Sequence, residues 1–132
     1  MTRGADMTKI LVIDDDAIMR EVMTSLFEDA GYVVIAAEDG RRGVARFREE
    51  RPDIVITDLI MPEQEGLQTI VELRRLQPDA KIIAVSGGGR IGDRDMLEMA
   101  QALGASDTVA KPFDPDDLVR RVSRYLASAN AS

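Results

Sequence analysis

The stretch Ile10-Leu-Val-Ile-Asp-Asp-Asp16 runs from four apolar residues directly into three aspartates. A second stretch, Ile54-Val-Ile-Thr-Asp58, repeats this pattern and also ends on an aspartate. Unbroken Val/Ile runs without polar alternation are typical of parallel strands that are covered on both faces. If these two runs are neighbouring parallel strands, their carboxyl ends bring several carboxylates to one edge of the sheet.

Carboxylates gathered in this way repel one another. Two unit charges at ~4 Å, with an effective dielectric constant of ~20, repel by ~4 kcal/mol. A folded chain tolerates such a cluster when a cation neutralises it or when one group binds a proton. We therefore expect a hard divalent cation at the ends of these two strands.

The composition sets limits on the class of protein. The length of 132 residues fits one domain, and 45% hydrophobic with 31% charged residues is ordinary for a globular protein. A formal net charge of -7 lacks the basic footprint of direct nucleic-acid binding. The chain has no cysteine and no stretch near the ~20 apolar residues of a membrane span. We expect a cytoplasmic protein with no direct contact to nucleic acid or membrane.

Five apolar runs alternate with segments of helical period. The strands are predicted near residues 10–13, 32–35, 54–56, 82–85 and 108–110. The helices are predicted over 17–30, 40–50, 64–76, 92–103 and from 115 onward, with Asp16 as the cap of the first. In that first helix Ile18, Val22 and Leu26 recur every fourth residue, with Met19, Met23 and Phe27 alongside.

Five alternating units predict an open, doubly wound α/β domain with a parallel sheet and helices on both faces. Ligands of such domains bind at the carboxyl ends of the strands. The aspartates, Ser86 and Lys111 each follow a predicted strand, on that same edge. We expect a disordered tail at residues 1–7, one folded domain at 8–127 and a second tail at 128–132.

Four motifs, each at a strand end and in this order, give the chain a family resemblance. They are Ile13-Asp14-Asp15-Asp16, Asp58-Leu-Ile-Met-Pro62 with Gly66, Ser86-Gly87, and Lys111-Pro112-Phe113. With them the chain resembles the receiver domain of two-component response regulators of the chemotaxis-regulator type, over about residues 8–127. The resemblance implies a flavodoxin-like fold with strand order 2-1-3-4-5.

The resemblance also implies a metal site and a phosphoacceptor. Asp58 would accept the phosphoryl group, and Mg²⁺ would be held directly by Asp15, Asp58 and the backbone carbonyl of Ile60. Asp14 would bind the ion mostly through water, and Mn²⁺ could substitute for Mg²⁺. Few carboxylates and several retained waters suit this ion.

Two further residues complete the site that the resemblance implies. Lys111 would pair with one phosphoryl oxygen, and the Ser86 hydroxyl would donate a hydrogen bond to another. The peptide bond before Pro112 is expected to be cis. This inventory suffices because phosphoryl transfer depends mainly on positioning and charge neutralisation.

The implied function is that of a signalling switch rather than a classical enzyme. A histidine kinase or phosphotransferase would dock around Ala17, Ile18, Arg20, Glu21 and Thr24 and donate the phosphoryl group. Phosphorylation would then change the affinity for a downstream effector protein. A homodimer through the faces of the fourth and fifth helices is a further expectation. Arg120, Arg121 and Arg124 are expected to form a solvated surface or, as the alternative, ion pairs with Asp93, Asp95 or Glu98 across that interface.

One position departs from the common pattern of the family. Three residues before Lys111, where many receivers carry Tyr or Phe, this chain has Thr108. The run Gly87-Gly88-Gly89 gives the following loop unusual conformational freedom. We therefore expect switching by reordering of residues 86–92 rather than by rotation of an aromatic ring.

Two other functions compete with this one. The first is a degenerate receiver, a protein-binding module that never uses phosphate. The second is a phosphatase of the haloacid-dehalogenase type, because Asp14-Asp15-Asp16 contains an Asp-x-Asp motif after a strand. In that enzyme Asp14 would be the nucleophile, which leaves Asp58 unexplained.

Overall fold

The structure, a computed structural model, describes residues 8–59, 65–87 and 93–131. Strands and helices alternate, close to the predicted bounds. The strands are β1 (Lys9–Ile13), β2 (Val33–Ala37), β3 (Ile54–Asp58), β4 (Ile82–Gly87) and β5 (Asp107–Lys111). The helices are α1 (Ala17–Asp29), α2 (Gly40–Glu50), α3 (Glu65–Leu76), α4 (Asp93–Leu103) and α5 (Pro115–Ala131).

The strands form one parallel sheet in the order β2-β1-β3-β4-β5, which confirms the predicted fold class. The winding direction changes at β1, which lies between β2 and β3. The register pairs Ile10 with Ile54 and Ile13 with Thr57, so β1 and β3 end side by side. This end of the sheet is the place where doubly wound domains bind their ligands.

Alternate residues of each strand point into two separate apolar cores. Leu11 and Ile13 face the layer that contains α2, α3 and α4, where Phe47 and Ile70 are buried. The other face of the sheet packs against α1 and α5. Its buried residues include Ile10, Val12, Ile54, Ile56, Ile83, Met23, Phe27, Leu118 and Val122. Burial on both faces explains why the strands lack polar alternation.

The buried side of α1 differs from the four-residue repeat that the sequence emphasises. Ile18 is 73% exposed and Val22 49% exposed, whereas Met23 and Phe27 are within 1% of full burial. Two adjacent apolar stripes run along this helix, and the sheet covers only the second. The every-fourth-residue pattern of Ile18 and Val22 therefore marks an outward-facing apolar surface and not the core.

The start of α1 and the end of α5 can be compared with the bounds predicted from the sequence. Asp16 caps α1 as expected, since its Oδ1 accepts hydrogen bonds from the amides of Ile18 and Met19 at 2.9 and 3.4 Å. Helix α5 continues to Ala131, into the segment 128–132 that was expected to be a tail, and that domain boundary stays a prediction. Residues 127–131 contain neither Gly nor Pro, and alanine favours helix continuation. The expected tail at residues 1–7 lies outside the described residues.

A polar cluster joins β5 to α5. The Arg121 guanidinium contacts Asp107 Oδ2 at 2.8 Å and Asp117 Oδ2 at 2.9 Å, and Tyr125 donates a hydrogen bond to the carbonyl of Ser106 at 3.0 Å. The hydrogen bonds that Arg121 donates to Asp117 and Asp107 raise the pKa of Arg121. Arg121 is thus engaged within its own chain, and an ion pair across a dimer interface stays a prediction.

Among residues 8–59, 65–87 and 93–131, no helix has the length and apolar character needed to cross a bilayer.

The burial of α1 predicts a sharp contrast between neighbouring substitutions. Met23→Ala removes a buried side chain and should lower the free energy of unfolding by about 2–5 kcal/mol. Val22→Ala acts on a half-exposed side chain and should change it by less than about 0.5 kcal/mol. Urea unfolding followed by circular dichroism measures both. Equal losses would show that the apolar stripe with Val22 is the buried one.

Candidate functional site

Three aspartates meet at the carboxyl ends of β1 and β3. One carboxylate oxygen from each of Asp14, Asp15 and Asp58 lies within 4.8 Å of the other two. Asp14 is fully buried and Asp58 is 5% exposed, whereas Asp15 is open to solvent. The parallel register of β1 and β3 produces this meeting, because both strands end at the same level.

Lys111 brings the positive charge to this cluster from the end of β5. Its Nζ lies 3.5 Å from Asp14 Oδ2 and 3.6 Å from Asp58 Oδ2. One ammonium group cannot neutralise three carboxylates, so negative charge remains at the open side next to Asp15. The Lys111–Pro112 peptide bond is cis, as the sequence predicts.

The backbone around Asp14 is fixed from three directions. Its amide donates to the carbonyl of Ala37 at 3.1 Å, and its Oδ1 accepts from the amide of Asp16 at 2.9 Å. Arg20 Nη1 donates to the Asp14 carbonyl at 2.7 Å. From the sequence, Arg20 was expected on a surface that docks the kinase. The hydrogen bond to Asp14 was not predicted, because a single arginine on a helix gives no indication of its acceptor. Arg20 orients the turn that carries Asp14 and Asp15.

Gly66 permits α3 to begin directly against the end of β3. A Cβ atom at this position would lie 2.5 Å from both the Asp58 carbonyl oxygen and the Leu59 Cα. Real Cβ atoms essentially never approach backbone so closely. The adjacent Leu59 is fully buried and its amide bonds to the Val85 carbonyl at 2.8 Å. The sequence motif contained Gly66, but only the structure shows that it makes room for the backbone of Asp58.

The Ser86 side chain is the unsatisfied polar group of this region. It is fully buried, and its Oγ has no hydrogen-bond partner among the described residues. Such a group ordinarily costs about 1–3 kcal/mol and calls for an explanation. The sheet register sets Asp58 beside Val85 and Gly87 beside Lys111, so Ser86 belongs to the same strand edge. A bound oxygen at this edge would satisfy the hydroxyl.

The donor atoms at this edge fit a hard cation. Asp14, Asp15 and Asp58 offer carboxylate oxygens within reach of one ion, without sulfur or imidazole ligands. Few carboxylates beside open solvent suit Mg²⁺, which retains several waters. The expected fourth ligand, the carbonyl of Ile60, lies outside the described residues.

Thr108 and the loop of residues 86–92 are the two regions for which the sequence predicts a role in switching. Thr108 lies on β5 opposite Ala84, is half-buried, and its amide donates to Asp107 Oδ1 at 2.9 Å. Residues 88–92 of the loop expected to reorder fall outside the described ranges. Reordering of that loop stays a prediction.

Comparison with known proteins supports the resemblance seen in the motifs. The family model of the response regulator receiver domain matches residues 10–123. The chemotaxis protein CheY of Thermotoga maritima is 37% identical over 117 residues, which cover 88% of this chain and 95% of that protein. A probable transcriptional regulator, ycf27 of Guillardia theta, is 37% identical over 123 residues, 92% of this chain and 46% of that protein. This chain thus spans nearly all of one relative and about half of the other.

Solved structures give the same result for the fold. The crystal structure of a response regulator receiver domain protein from Clostridium thermocellum superposes with a TM-score of 0.87 at 29% identity. The match covers 95% of this chain and 98% of that one. Fold, motifs and the matched family model agree, and this chain belongs to the response regulator receiver domain family.

Proposed function

We propose that this receiver domain is a phosphorylation-controlled switch with Asp58 as its phosphoacceptor. A histidine kinase or phosphotransferase supplies the phosphoryl group, and the phosphorylated domain changes its affinity for an effector protein. The observation that carries the proposal is the convergence of Asp14, Asp15, Asp58 and Lys111 on one strand edge. The buried Ser86 hydroxyl at that edge supports it further.

The choice of Asp58 as nucleophile rests on its place in the motif of the receiver family. Asp14 and Asp58 are both buried, and the Oδ2 atoms of both lie near Lys111 Nζ, at 3.5 and 3.6 Å. The motif Asp58-Leu-Ile-Met-Pro62 with Gly66 is typical of the phosphoacceptor position in this family. The phosphatase alternative, in which Asp14 would be the nucleophile, leaves this motif unexplained.

The transfer is a displacement at phosphorus. A carboxylate oxygen of Asp58 forms the new O–P bond while the N–P bond to the donor histidine breaks, and the electron pair stays on the imidazole nitrogen. The donor histidine belongs to the partner, since this chain contains none. Mg²⁺, or Mn²⁺ in its place, would supply charge neutralisation for the phosphoryl oxygens when bound.

The remaining roles, metal binding and contact with the phosphoryl oxygens, fall to side chains of this domain. Asp15 and Asp58 would hold the ion directly, together with the carbonyl of Ile60, and Asp14 would hold it mostly through water. Lys111 would pair with one phosphoryl oxygen, and Ser86 would donate its hydrogen bond to another. Asp14, Asp15, Asp58 and Lys111 already lie together at this edge, so these side chains need little reorganisation.

The output follows from the added charge. An aspartyl phosphate brings roughly -1.5 to -2 charges, by analogy with other phosphorylated side chains. Such a charge draws Lys111 and Ser86 toward the phosphoryl group and biases the loop after β4. The domain that carries this response is the one proposed at residues 8–127, with the last turn of α5 reaching Ala131, and a homodimer would use the faces of α4 and α5.

Intact mass spectrometry tests the phosphoacceptor. Incubation with a small acyl phosphate should add the mass of one phosphoryl group in the presence of Mg²⁺ and not in its absence. Asp58→Asn should abolish the addition, whereas the control Asp79→Asn, at an exposed turn residue, should not. Addition to the Asp58→Asn protein would favour Asp14 as nucleophile. A folded wild-type protein that binds Mg²⁺ but gains no mass would indicate a degenerate receiver.

The acidic cluster predicts opposite effects of one substitution on metal affinity and stability. Asp15→Asn removes one ligand and one of three like charges. It should weaken Mg²⁺ binding and, in the metal-free protein at low salt, raise the free energy of unfolding by up to about 1 kcal/mol. Calorimetry and urea unfolding measure the two quantities.

The neighbouring residue supplies the control for that experiment. Asp16→Asn keeps the helix cap, because Asn caps as well as Asp, and this side chain lies outside the cluster. Its Mg²⁺ affinity should stay within about twofold of wild type, a difference of ~0.4 kcal/mol. Equal weakening by both substitutions would contradict the assigned ligand set.

Substitutions of Ser86 and of Ser106 should have opposite effects on the stability of the fold and on the rate of phosphorylation. Ser86→Ala removes a hydroxyl without a described partner, so stability should stay constant or rise, while phosphorylation should slow by about tenfold or more. Ser106→Ala removes the acceptor of the Ile82 amide at 3.1 Å and should lower stability by about 0.5–1.5 kcal/mol without slowing phosphorylation. Unfolding curves and the time course of mass gain decide. An unchanged rate for Ser86→Ala would remove Ser86 from the site.

A further inference from the structure

Helix α2 carries a positive charge that the phosphoryl site does not use. Its sequence, Gly40-Arg-Arg-Gly-Val-Ala-Arg-Phe-Arg-Glu-Glu50, holds four arginines and two glutamates in a chain of formal charge -7. We call Arg41, Arg42, Arg46 and Arg48 the arginine face. The sequence pattern alone suggests an ordinary solvated helix surface, but three structural observations indicate more.

The first observation concerns ion pairing. Arg42 pairs with Glu38, and Arg46 Nη1 lies 3.9 Å from Glu49 Oε2 in an exposed pair. Arg41 and Arg48 are exposed, and neither forms an ion pair with a carboxylate in the part of the chain that the structure describes. Half of the arginine face therefore has its charge available to a partner.

The second observation concerns the helix dipole. Arg41 and Arg42 lie in the first turn of α2, and this turn contains no acidic residue. The amino end of a helix carries partial positive charge, so cations there are unfavourable and anions are favourable. Asp39 caps this end of the helix, and Arg42 pairs with Glu38 and with Asp39, whereas Arg41 forms no ion pair among the described residues. Arg41 therefore gains no stability from the helix dipole.

The third observation is that a cleft lies on each side of the helix. The cleft toward α1 and β2 has a volume of about 400 Å³, with Arg20, Arg42 and Arg46 around small side chains of Ala36 and Ala37. Small side chains therefore line the base of this cleft, and arginines line its sides.

The second cleft, of about 460 Å³, lies between α2 and α3. Arg41 and Arg48 line it from one side, and Gln68 and Glu72 from the other. The exposed Ala45 lines both clefts, so a small side chain separates the two pairs of arginines. A polypeptide segment can cross the helix at Ala45 and place a side chain in each cleft.

We propose that the arginine face binds an acidic segment of a partner protein. Guanidinium groups bind carboxylates through paired hydrogen bonds, and four of them surround one small residue here. Glu38 and Glu72 interrupt the positive charge, which suits separate acidic side chains better than the continuous phosphates of a duplex. The net charge of -7 also repels a long polyanion, whereas a short segment covers only this face.

The experiment uses the full chain and a short synthetic polyglutamate peptide as probe. Amide chemical shifts should change around residues 40–51, and the affinity should fall as salt is added. The double variant Arg41→Gln/Arg48→Gln should bind about tenfold more weakly, since each residue then lacks its charge but keeps good helix propensity. The matched control Arg75→Gln/Arg124→Gln removes two exposed arginines elsewhere and should bind like wild type.

Several outcomes would overturn the proposal. An equal loss in both double variants would show a response to net charge alone. Shift changes confined to residues outside α2 and its clefts would place the anion elsewhere. Tighter binding of a DNA duplex or of anionic vesicles at the same arginines would assign the face to another class of partner. The proposal is independent of phosphorylation at Asp58, and each can fail without the other.

Discussion

The close approach of three carboxylates at one edge of the sheet is the constraint on which the rest of this structure depends. Parallel pairing of β1 and β3 brings Asp14, Asp15 and Asp58 together, and a single ammonium group from Lys111 offsets part of their repulsion. The arrangement is unfavourable by itself, so the two apolar cores must supply the stability that maintains it. The remaining negative charge is what favours the cation proposed at this edge.

The elements around this edge act by restricting the backbone. Arg20 and the Ala37 carbonyl fix the turn at Asp14, and Gly66 lets α3 contact the residue after Asp58. Side chains that follow a fixed backbone need little rearrangement when a phosphoryl group arrives. The unsatisfied hydroxyl of Ser86 fits the proposed function, in which its cost in the unphosphorylated protein would become a favourable contact after phosphorylation.

The sequence predicts the fold well because period and strand ends are local signals. The runs at Ile10 and Ile54 are buried on both faces, and Asp16 caps α1 through its own backbone neighbours. The orientation of α1 was not predictable, since two adjacent stripes are both apolar and only tertiary packing selects one. The bonds of Arg20 to Asp14 and of Arg121 to Asp107 were missed for a similar reason. Each joins a helix to a strand end, and a lone arginine in a sequence does not indicate its acceptor.

The acidic site and the arginine face lie at connected places in the fold. Helix α2 begins where β2 ends, at the same edge of the sheet as Asp58. If both proposals hold, a phosphoryl group on Asp58 adds negative charge near the amino end of α2. That charge repels an acidic segment bound to the arginine face, and screening limits the effect to about 8–10 Å. Linkage makes the effect reciprocal, so a bound acidic segment would disfavour the phosphorylated state to the same extent. The two sites would then be coupled by electrostatics alone, without rotation of an aromatic side chain at position 108.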